Sequence, residues 1–478
     1  MTGQAVLGNF IGNLRLAPGS VTSELIDPRT GEPTGRAVVS DAGDVDLALR
    51  TAVDAFVTWR RSTPRDRQTA LLRLADALEE RAEEFADAEC RDTGKPRRLV
   101  LTEEIPQCAD QLRFFAGAAR LLEGVAAGEY LEGHTSQIRR EPLGVCAQIT
   151  PWNYPLMMAV WKIGPAVAAG NTTVLKPAET TPTSTVLLAE VAAAFLPPGV
   201  VNVVLGDRDT GRALIAHPAA ALVSITGSTR AGIEVARAAA AEVKQTHLEL
   251  GGNAAVLVFE DADVEAAAYG IVAAGFYNAG QDCTAGTRIL AHDTIHDALL
   301  DALVARAKAT VTGPPPLADP DYGPLNSQAQ LDRVLGLIER LPVHAVVNTG
   351  GHRVGERGFH LAPTVISGLD QRDEIVQEEI FAPVLTVQRF TREEDAVRLA
   401  NDQPYGLAAS VWTSNHSRVQ RTSAVLDFGA VWINSHGRLA PEMPHGGFKH
   451  SGHGKDLSAY ALADYTRVKH VMSATHAP

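Results

Sequence analysis

A cysteine among small residues is the first candidate for chemistry. Cys283 lies in the segment NAGQDCTAGT (278–287), between Gly280 and Gly286. Glycines let a substrate approach a thiol closely, and the thiol could take its reactivity from nearby backbone dipoles. A lone cysteine is more often a buried and inert side chain. The segment therefore allows two interpretations of Cys283, a structural thiol and a nucleophile.

An acidic residue between two leucines is the second candidate. Glu249 lies in THLELGG (246–252), between Leu248 and Leu250. Burial of a carboxylate costs free energy unless the group is paired or used, and it raises the pKa toward the range of a general base. The alternative is an edge residue that faces solvent, and this segment alone favours neither.

An amide at the end of an apolar run is the third candidate. Asn153 lies in ITPWNYP (149–155), directly after Pro151 and Trp152. Its side chain could donate a hydrogen bond to a developing oxyanion. Taken alone, Asn153 is more simply explained as an ordinary turn asparagine.

A carboxylate that follows a strand-like run could belong to a dinucleotide site. Lys176 and Glu179 lie in VLKPAET (174–180), after a β-branched run. An acidic residue in that place could accept hydrogen bonds from ribose hydroxyls. The alternative is a solvated loop pair.

A glycine-containing turn between a strand and a helix could receive a phosphate. In GSTRAG (227–232), Gly227 would permit a tight turn, and Ser228 would stand at the N-terminus of the helix. The segment is neither GxGxxG nor a P-loop, because Ile233 and Glu234 follow where a P-loop has Lys and then Ser or Thr. A plain turn is the alternative.

Strands that alternate with helices would have to position these residues. Apolar runs predict strands at 144–149, 171–177, 200–206, 221–227, 246–252 and 254–259. Helical spacing predicts helices at 155–170, 181–195, 210–216 and 228–242, and one that begins at Thr63-Pro64 and ends at Gly94. A second alternating stretch runs from about 254 to 430, with a loop at 313–324. The pattern predicts an α/β fold with parallel sheets, in which ligands bind at the carboxyl ends of the strands.

Charge and composition exclude several classes of protein. The 478 residues include 43 Lys and Arg and 56 Asp and Glu, which gives a net charge of −13. We therefore expect no nucleic-acid partner, because a phosphate backbone requires a basic surface. Hydrophobic residues make up 45% of the chain, a fraction typical of globular domains.

Cysteine usage and hydropathy suggest where the protein works. The four cysteines show neither CxxC nor zinc-ligand spacing, so we expect no metal site and a reducing compartment. The most apolar stretch, 155–170, is interrupted by Lys162 and is better explained as a buried helix than as a membrane span. With no basic leader followed by an apolar core, the expected location is the cytoplasm, with no membrane partner.

Seven motifs in one order resemble the NAD(P)-dependent aldehyde dehydrogenase superfamily. They are PWN (151–153), KPAE (176–179), GSTRAG (227–232), LELGG (248–252), GQDC (280–283), EEIFAP (378–383) and PHGGFKHSGHGKD (444–456). The resemblance covers nearly the whole chain. It implies a nucleophile at Cys283, a general base at Glu249 and an oxyanion amide at Asn153, which acts with the backbone N–H of Cys283.

The resemblance also implies a set of contacts to NAD. These are Lys176 and Glu179 at the adenosine ribose, Gly227 and Ser228 at the pyrophosphate, Glu379 and Phe381 at the nicotinamide ribose and ring, and Ile149, Trp152, Thr226, Leu250 and Gly251 around them. A carboxylate at Glu179 would repel the 2′-phosphate of NADP, so NAD is the expected cofactor.

The implied reaction needs no metal. A thiolate attacks an aldehyde to give a thiohemiacetal, hydride passes to NAD, and water activated by the base releases a carboxylic acid from the thioester. Two residues depart from the simple pattern. Ala382 stands where the family usually has glycine and would add a methyl near the nicotinamide. Asp282 directly precedes the nucleophile, where it would disfavour a thiolate or attract a cationic substrate.

The resemblance implies three structural parts. Residues 1–120 and 141–251 would form a variant Rossmann-type NAD-binding domain, and residues 252–456 an α/β catalytic domain. A hairpin at 121–140 and the tail 457–478 would form a small β element that joins subunits. YTRVKHVM (465–472) alternates like an edge strand, which also favours a homo-oligomer, either a dimer or a tetramer.

Long stretches are most similar to bacterial γ-aminobutyraldehyde dehydrogenases. They are 114–120, 130–145, 151–166 and 443–472. The implied substrate is 4-aminobutanal, and an ammonium group would be recognised by carboxylates and an aromatic face. The candidate pocket residues are Asp110, Tyr154, Trp161, Asp282 and His436. Solvent exposure of Asp110 and core packing of Tyr154 and Trp161 are the alternatives.

Other functions remain open at this point. An enzyme of the same class could act on betaine aldehyde or on plain aliphatic aldehydes. A thiol esterase could use Cys283 without redox chemistry, although Lys176, Glu179, Ser228 and Glu379 argue for a cofactor. A catalytically inactive relative would have been free to lose Cys283.

Overall fold

The computed structural model describes residues 6–17, 19–124, 126–317 and 319–475. Its strands are β1 (Val6–Leu7), β2 (Phe10–Ile11), β3 (Leu14–Arg15), β4 (Thr22–Asp27), β5 (Glu32–Val38), β6 (Gly128–Leu131), β7 (His134–Pro142), β8 (Val145–Ile149), β9 (Thr172–Lys176), β10 (Val201–Val203), β11 (Ala220–Thr226), β12 (Gln245–Glu249), β13 (Ala255–Val258), β14 (Arg288–His292), β15 (Val346–Thr349), β16 (Thr364–Ser367), β17 (Val384–Phe390), β18 (Tyr405–Gly406), β19 (Ala408–Trp412), β20 (Ala430–Ile433), β21 (Phe448–Lys449), β22 (Gly452–His453) and β23 (Thr466–Ala474).

Helices cover these strands. They are α1 (Ala42–Trp59), α2 (Pro64–Glu80), α3 (Ala82–Thr93), α4 (Arg97–Leu99), α5 (Ile105–Ala118), α6 (Pro155–Ala169), α7 (Thr183–Ala192), α8 (Arg208–Ala216), α9 (Thr229–Ala240), α10 (Val264–Phe276), α11 (His296–Ala309), α12 (Gln328–Glu339), α13 (Glu374–Gln377), α14 (Glu393–Asn401), α15 (His416–Val425) and α16 (Ser458–Asp464). A π-helical turn, Val100–Glu104, joins α4 to α5, and a 3₁₀ turn, Tyr277–Gly280, follows α10.

The strand order of the first sheet places a binding crevice. The order is β22-β12-β11-β8-β9-β10-β2-β3, and the strands from β12 to β10 pair in parallel. The chain passes from β8 to β9 on one side and reaches β11 on the other, so the order reverses between β8 and β11. Ligands of such sheets bind at the carboxyl ends of the strands beside the reversal. That point lies beyond Ile149 and Thr226, the last residues of β8 and β11.

A second sheet carries the segment that contains the candidate nucleophile. Its order is β15-β16-β17-β14-β13-β19-β20, with parallel pairs from β16 to β20 and an antiparallel β15 at the edge. The segment with Cys283 connects α10 to β14. The predicted fold class, a Rossmann-type domain with an α/β catalytic domain, is confirmed.

The third sheet joins the predicted hairpin to the tail. β23 pairs antiparallel with β7 along its whole length, from Thr466 opposite Pro142 to Ala474 opposite His134. β6 completes the sheet, so that β23 lies at an edge. Of the predicted domain ranges, residues 1–5, 18, 125 and 476–478 lie outside the described residues, as does residue 318 of the predicted loop.

The helix predicted to run from Thr63 to Gly94 is two helices, so that prediction was wrong in its length. Thr63 and Asp66 form a capping box at the start of α2. The helical conformation is interrupted at Arg81, and α3 continues to Thr93. Gly94 ends α3 at φ +73°, where a Cβ would also lie 2.6 Å from the Pro324 ring. The position therefore requires glycine.

Close helix packing fixes the substrate side of the crevice. α6 begins directly after Asn153 and is buried along its length. A Cβ on Gly164 of α6 would lie 2.7 Å from the Phe115 ring of α5, so this glycine lets the two helices approach closely. α5 thereby holds α6 and the side chains that α6 presents toward the second sheet.

Candidate active site

One large cavity lies between the carboxyl ends of the first sheet and the segment that contains Cys283. Its volume is about 1600 Å³. Ligand pockets are commonly about 300–1,000 Å³, so this cavity has room for a cofactor and a substrate together. The predicted residues that line it are Trp152, Asn153, Tyr154, Trp161, Thr226, Gly227, Ser228, Glu249, Leu250, Gly251, Asp282, Cys283, Glu379, Phe381 and His436.

The segment before Cys283 has a tightly constrained backbone. Asn278, Ala279 and Gly280 have positive φ values of 50°, 58° and 65°. A Cβ on Gly280 would lie 2.2 Å from the carbonyl oxygen of Ala382, so glycine is required there. Left-handed backbone in non-glycine residues is costly and is often found at functional sites.

Asp282 and His436 both hold Thr284, the residue that follows the thiol. Asp282 Oδ1 accepts hydrogen bonds from the backbone N and the Oγ1 of Thr284, both at 2.7 Å. His436 Nε2 donates to the Thr284 carbonyl at 2.7 Å, and its Nδ1 accepts from Ser410 at 2.8 Å. His436 lines the cavity as predicted, but Nε2 is bonded to the Cys283 segment and Nδ1 to Ser410 on β19, so both ring nitrogens are already engaged.

The thiol of Cys283 is in an unfavourable place for a charge. Burial, then Asp282, Glu249 and Glu379, raise the pKa of Cys283 well above its usual value. A thiolate here therefore requires a base that takes the proton.

Asn153 is tied to the same segment. Its Nδ2 donates to the Gln281 carbonyl at 3.0 Å, and its own carbonyl accepts from Asn278 Nδ2 at 2.9 Å. Since a carboxamide nitrogen carries two N–H groups, one remains for another acceptor. The arrangement brings a free amide donor beside Gln281, two residues before Cys283.

Glu249 ends β12 and is 3% exposed. Its Oε1 has no hydrogen-bond partner among the described residues. A Cβ on Gly446 would lie 2.4 Å from this oxygen, so glycine leaves room for the carboxyl group. Burial first and then Asp456 raise the pKa of Glu249, against the opposite effect of Lys162 and Lys455. These are the properties of a carboxyl group that can take and hold a proton.

A buried ion pair beside Glu249 was missed by the sequence reasoning. Lys162 Nζ lies 2.9 Å from Asp456 Oδ2, and both side chains are fully buried. Asp456 lines the cavity and also lies 3.1 Å from His247 Nε2. The signal was a lysine in an otherwise apolar run, which served only as evidence against a membrane span.

The turn between β11 and α9 offers donors for a phosphate. Ser228 caps α9 by accepting from the Ala231 N–H, and the first residues of α9 line the cavity. Thr226 Oγ1 is buried without a partner among the described residues. Gly227 lies outside the left-handed region, and an added Cβ would meet Ile225 at 3.6 Å. The short turn from β11 to α9 therefore does not depend on a left-handed glycine, and the absence of a side chain at Gly227 leaves the helix N-terminus open.

Lys176, Glu179 and Ile149 lie together at the neighbouring strand ends, outside the cavity lining. Lys176 Nζ donates to the carbonyls of Pro177 and Gly206 at 2.9 and 2.8 Å. Glu179 is exposed just beyond β9. These strand ends adjoin the phosphate turn, because Ile149 on β8 pairs with Ile225 on β11. An adenosine subsite would be expected at this position.

The segment Glu379–Phe381 approaches the cavity from the second sheet. Glu379 Oε1 accepts from the Gly252 N–H at 2.8 Å, and a Cβ on Gly251 would lie 2.2 Å from Oε2. Removal from water raises the pKa of Glu379 to about 7. Phe381 has a φ of +55° and packs edge-on against Trp152, with 5.3 Å between ring centroids.

Two residues of α12 that the sequence reasoning missed hold this segment. Gln330 donates to the Phe381 carbonyl at 2.9 Å, and Arg333 donates to the Glu379 carbonyl at 3.3 Å. Ala382 is fully buried in the core of the second domain. Its methyl group therefore packs in that core, outside the cavity lining of the described residues.

The substrate side contains aromatic and acidic groups. Tyr154 donates to Asp282 Oδ2 at 2.9 Å, and Trp161 Nε1 donates to Gln111 at 2.8 Å. Both aromatic residues are buried, so they are core residues as well as cavity residues. Asp110 is exposed on α5 and stands outside the cavity lining of the described chain, which corrects its predicted place.

Further cavity residues lie on elements that the sequence reasoning did not connect to the site. Glu103 comes from the π-helical turn before α5, and Tyr277 from the 3₁₀ turn. His445 is buried, and its Nδ1 has no hydrogen-bond partner among the described residues. The PHGG motif was the available signal for His445.

Neither a metal cluster nor a membrane-spanning helix is found in the described parts of the chain. No group of three His, Cys, Asp or Glu residues there could hold an ion. No helix there is long and apolar enough to cross a membrane.

Comparisons with known proteins agree with this geometry. The model of the aldehyde dehydrogenase family matches residues 17–471, so the chain belongs to that family. PnpE, solved with nicotinamide adenine dinucleotide, is 38% identical with a TM-score of 0.96, over 100% of this chain and 99% of that chain. An NAD-dependent aldehyde dehydrogenase from Sinorhizobium meliloti is 35% identical with a TM-score of 0.96, over 99% and 96%. A betaine aldehyde dehydrogenase mutant from Staphylococcus aureus is 34% identical with a TM-score of 0.96, over 99% and 96%.

The chain is thus an NAD-dependent aldehyde dehydrogenase. Both the predicted enzyme class and the predicted cofactor are confirmed. The residues present fit NAD, since the cavity brings the open N-terminus of α9 and the unpartnered Thr226 hydroxyl to one side and Glu379 to the other.

Proposed function

We propose that the chain oxidises an aminoaldehyde, of which 4-aminobutanal is the first candidate, to the amino acid. The observation that carries this proposal is the carboxylate of Asp282, which lies beside the thiol and lines the cavity. Its Oδ2 is oriented by Tyr154 and has a second lone pair for an ammonium group. Trp161 and Tyr277 add aromatic faces to the same cavity, and such faces attract cations.

In the proposed mechanism Cys283 is the nucleophile. Its sulfur forms a bond to the aldehyde carbon after the thiol proton passes to a base, and the carbonyl oxygen becomes an oxyanion. The free N–H of Asn153 and the backbone N–H of Cys283 stabilise that charge. NAD, when bound, would supply the acceptor for the hydride of the same carbon.

Glu249 then completes the reaction. It takes a proton from water as the water oxygen bonds to the thioester carbon and the C–S bond breaks. Its raised pKa makes it able to hold that proton. The products are the carboxylic acid and the free Cys283.

The cofactor contacts follow the arrangement of the two domains. Gly227, Ser228 and the N-terminus of α9 would bind the pyrophosphate, and Lys176 and Glu179 the adenosine ribose. Glu379 and Phe381 would contact the nicotinamide ribose and ring, beside Trp152. Ile149, Thr226, Leu250 and Gly251 would shape the surface between these contacts.

We also propose that the protein is a cytoplasmic homo-oligomer. All four cysteines are free thiols, which fits a reducing compartment. β23 is an edge strand with exposed Val468 and Met472, and such an edge favours pairing with a second copy. Analytical ultracentrifugation of the chain, with Val468→Lys as the variant, would test the assembly. A monomer at micromolar concentration would refute this proposal.

The substrate is tested by following NADH formation with 4-aminobutanal, betaine aldehyde and butanal side by side. We expect kcat/KM for 4-aminobutanal to exceed that for butanal ten-fold or more, which corresponds to about 1.4 kcal/mol. Asp282→Asn should remove this preference, and Asp110→Asn, on the exposed face of α5, should keep it. Equal rates with butanal would overturn the proposal. A betaine aldehyde preference would instead indicate a quaternary ammonium substrate, as in the S. aureus enzyme.

The roles of the catalytic residues need a separate test. Cys283→Ala should abolish oxidation and leave NAD binding nearly unchanged, because the thiol lies at the reacting carbon and not at the phosphate turn. Turnover by that variant would rule out Cys283 as the nucleophile.

A further inference from the structure

Under the proposed function, each turnover leaves a proton on Glu249, which takes it from the hydrolytic water and must lose it before the next cycle. Glu249 lines the cavity, but it is 3% exposed, and its Oε1, which has no partner among the described residues, lies against Gly446. A path through the protein would let the proton leave while substrate and cofactor fill the cavity.

His247 stands where such a path would run. It precedes Glu249 by two residues on β12, so the two side chains lie on the same face of the strand. His247 is 1% exposed, yet both of its ring nitrogens have acidic partners. Nε2 lies 3.1 Å from Asp456 Oδ1, and Nδ1 lies 3.1 Å from Asp464 Oδ2.

The two acidic partners of His247 face different environments, the cavity for one and the solvent for the other. Asp456 lines the cavity and is fully buried. The side chain of Asp464, at the end of α16, is 36% exposed. His247 is thus the connection between a carboxylate in the cavity and a carboxylate in contact with solvent.

We infer that His247 is a positioning residue that conducts protons from the Glu249 end of the cavity to solvent, by way of Asp456 and Asp464. An imidazole can accept a proton at one nitrogen and release another from the other nitrogen. A proton arriving from Asp456 binds Nε2, the Nδ1 proton passes to Asp464, and the ring then returns to its first tautomer. No atom other than hydrogen changes its bonds.

The charges around His247 allow it to carry a proton. Burial and the ammonium of Lys162 lower the pKa of His247, whereas Asp456 and Asp464 raise it, with a net rise above its usual value. The ring also packs at 5.9 Å from that of Tyr465. The other titratable groups near this face are Glu249 on β12, Lys455, and His453 on β22.

The experiment isolates the step that releases the proton, and it rests on the proposed roles of Cys283 and Glu249. p-Nitrophenyl acetate acylates the thiol of the intact enzyme, and the slow phase of p-nitrophenol release after the burst measures deacylation. We expect His247→Gln, which keeps an amide donor but cannot conduct a proton, to deacylate at least ten-fold more slowly. Imidazole added to the buffer should restore its rate and leave that of the wild type unchanged. His453→Gln, an exposed histidine on the adjacent strand, is the matched control and should behave as wild type.

Several outcomes would overturn the inference. Unchanged deacylation in His247→Gln would do so, and so would a slow rate that imidazole does not restore. If His247→Gln does not fold, Asp464→Asn at the exposed end is the second variant, with the same expected slowing and the same rescue. Wild-type deacylation by Glu249→Gln would instead overturn the proposed base. Slow deacylation in Glu249→Gln with an unaffected His247→Gln would overturn only the proton path.

Discussion

The phenolic hydroxyl of Tyr154 donates to Asp282 Oδ2 at 2.9 Å, and this bond joins the start of α6 to the residue before the thiol. Tyr154 is in turn packed below the buried ammonium of Lys95, which lies 4.1 Å from the ring centroid and 2.8 Å from Glu104. A cation on the face of a phenol ring makes the hydroxyl a better donor. Asp282 is therefore held in a fixed position beside Cys283, where its negative charge opposes a thiolate.

Removal of that charge should make Cys283 more acidic. Asp282 is the largest charged influence that raises the pKa of Cys283. Iodoacetamide alkylates the thiolate, so its rate increases as the thiol loses its proton. In Asp282→Asn we expect this increase to occur at a lower pH than in the wild type. Asp110→Asn should leave the pH profile unchanged, because that carboxylate is exposed on α5. A profile for Asp282→Asn that coincides with the wild type would show that the carboxylate does not act on the thiol.

NAD binding should depend on pH through Glu379. Removal from water raises the pKa of this carboxyl group to about 7, so it gains its charge as the pH rises through 7. An ionised carboxylate accepts ribose hydrogen bonds better than a neutral acid. We expect the Kd for NAD, measured by calorimetry, to fall between pH 6 and pH 8. Glu379→Gln should bind about ten-fold more weakly and lose this dependence, a loss of about 1.4 kcal/mol.

The neighbouring residue provides the control for that experiment. Glu378 is exposed beside Glu379, and Glu378→Gln should keep the pH dependence. If Glu378→Gln loses the pH dependence of NAD binding as Glu379→Gln does, the dependence comes from the overall charge of this segment and not from a direct contact between Glu379 and the ribose.

The sequence was sufficient to predict the residues that lie at strand ends. Asn153, Glu249 and Ser228 follow or end strands with clear apolar patterns, and parallel strands bring such ends to one edge. The location of Cys283 came from the ordered motifs, because its own segment carries no regular periodicity. The fold class followed from the same alternation of strands and helices.

Residues whose role depends on distant partners could not be predicted. Asp110 was predicted as a pocket carboxylate, but α5 buries Cys108, Ala109, Gln111 and Leu112 and leaves Asp110 exposed to solvent. Lys162 and Asp456 are 294 residues apart in sequence and meet only in the folded chain. Local sequence does not show that both nitrogens of His436 are already engaged.

The Lys162–Asp456 pair should be essential for stability. Removal of one partner from a buried ion pair leaves an uncompensated charge and costs about 3–5 kcal/mol. We expect Asp456→Asn to lower the urea midpoint strongly at fixed protein concentration. The double variant Lys162→Met/Asp456→Leu should recover most of the loss, because no lone charge remains. Equal destabilisation of the single and double variants would contradict this account.

Acid should weaken the same pair. Lys162 and His247 hold the pKa of Asp456 well below its usual value despite burial. Because the pKa of Asp456 is lower in the folded protein than in the unfolded chain, where it is about 4, the ionised carboxylate stabilises the fold at pH values above about 4. This stabilisation is lost as the pH falls toward the pKa of the folded state. The stability of Lys162→Met should therefore change less than that of the wild type between pH 5 and pH 3, as measured by urea unfolding.

Arg288 anchors the strand that follows the Cys283 segment, and among the described residues it makes no ion pair with a carboxylate. The side chain is fully buried, and its two terminal nitrogens donate to the carbonyls of Leu399 and Ala400 at 3.0 and 2.8 Å. These carbonyls belong to the last turn of α14, where no helical N–H is available to them. The guanidinium therefore caps α14 and ties it to the start of β14.

Loss of this cap should destabilise the protein without touching the cavity. Arg288→Met keeps much of the volume but leaves the Ala400 carbonyl without its donor and the Leu399 carbonyl with only Gln371 Nε2 at 3.3 Å, which costs about 1–3 kcal/mol. Arg288→Lys should restore less than half of the loss, because one ammonium cannot reproduce the two-pronged geometry. Arg398→Met, on the exposed face of α14, is the matched control and should change the free energy of unfolding by less than about 0.5 kcal/mol. Arg288→Met should still bind NAD at low temperature, because the cap lies outside the cavity. Two results would contradict the capping role: an equal loss of unfolding free energy in Arg288→Met and Arg398→Met, or a loss of NAD affinity in Arg288→Met without a loss of stability.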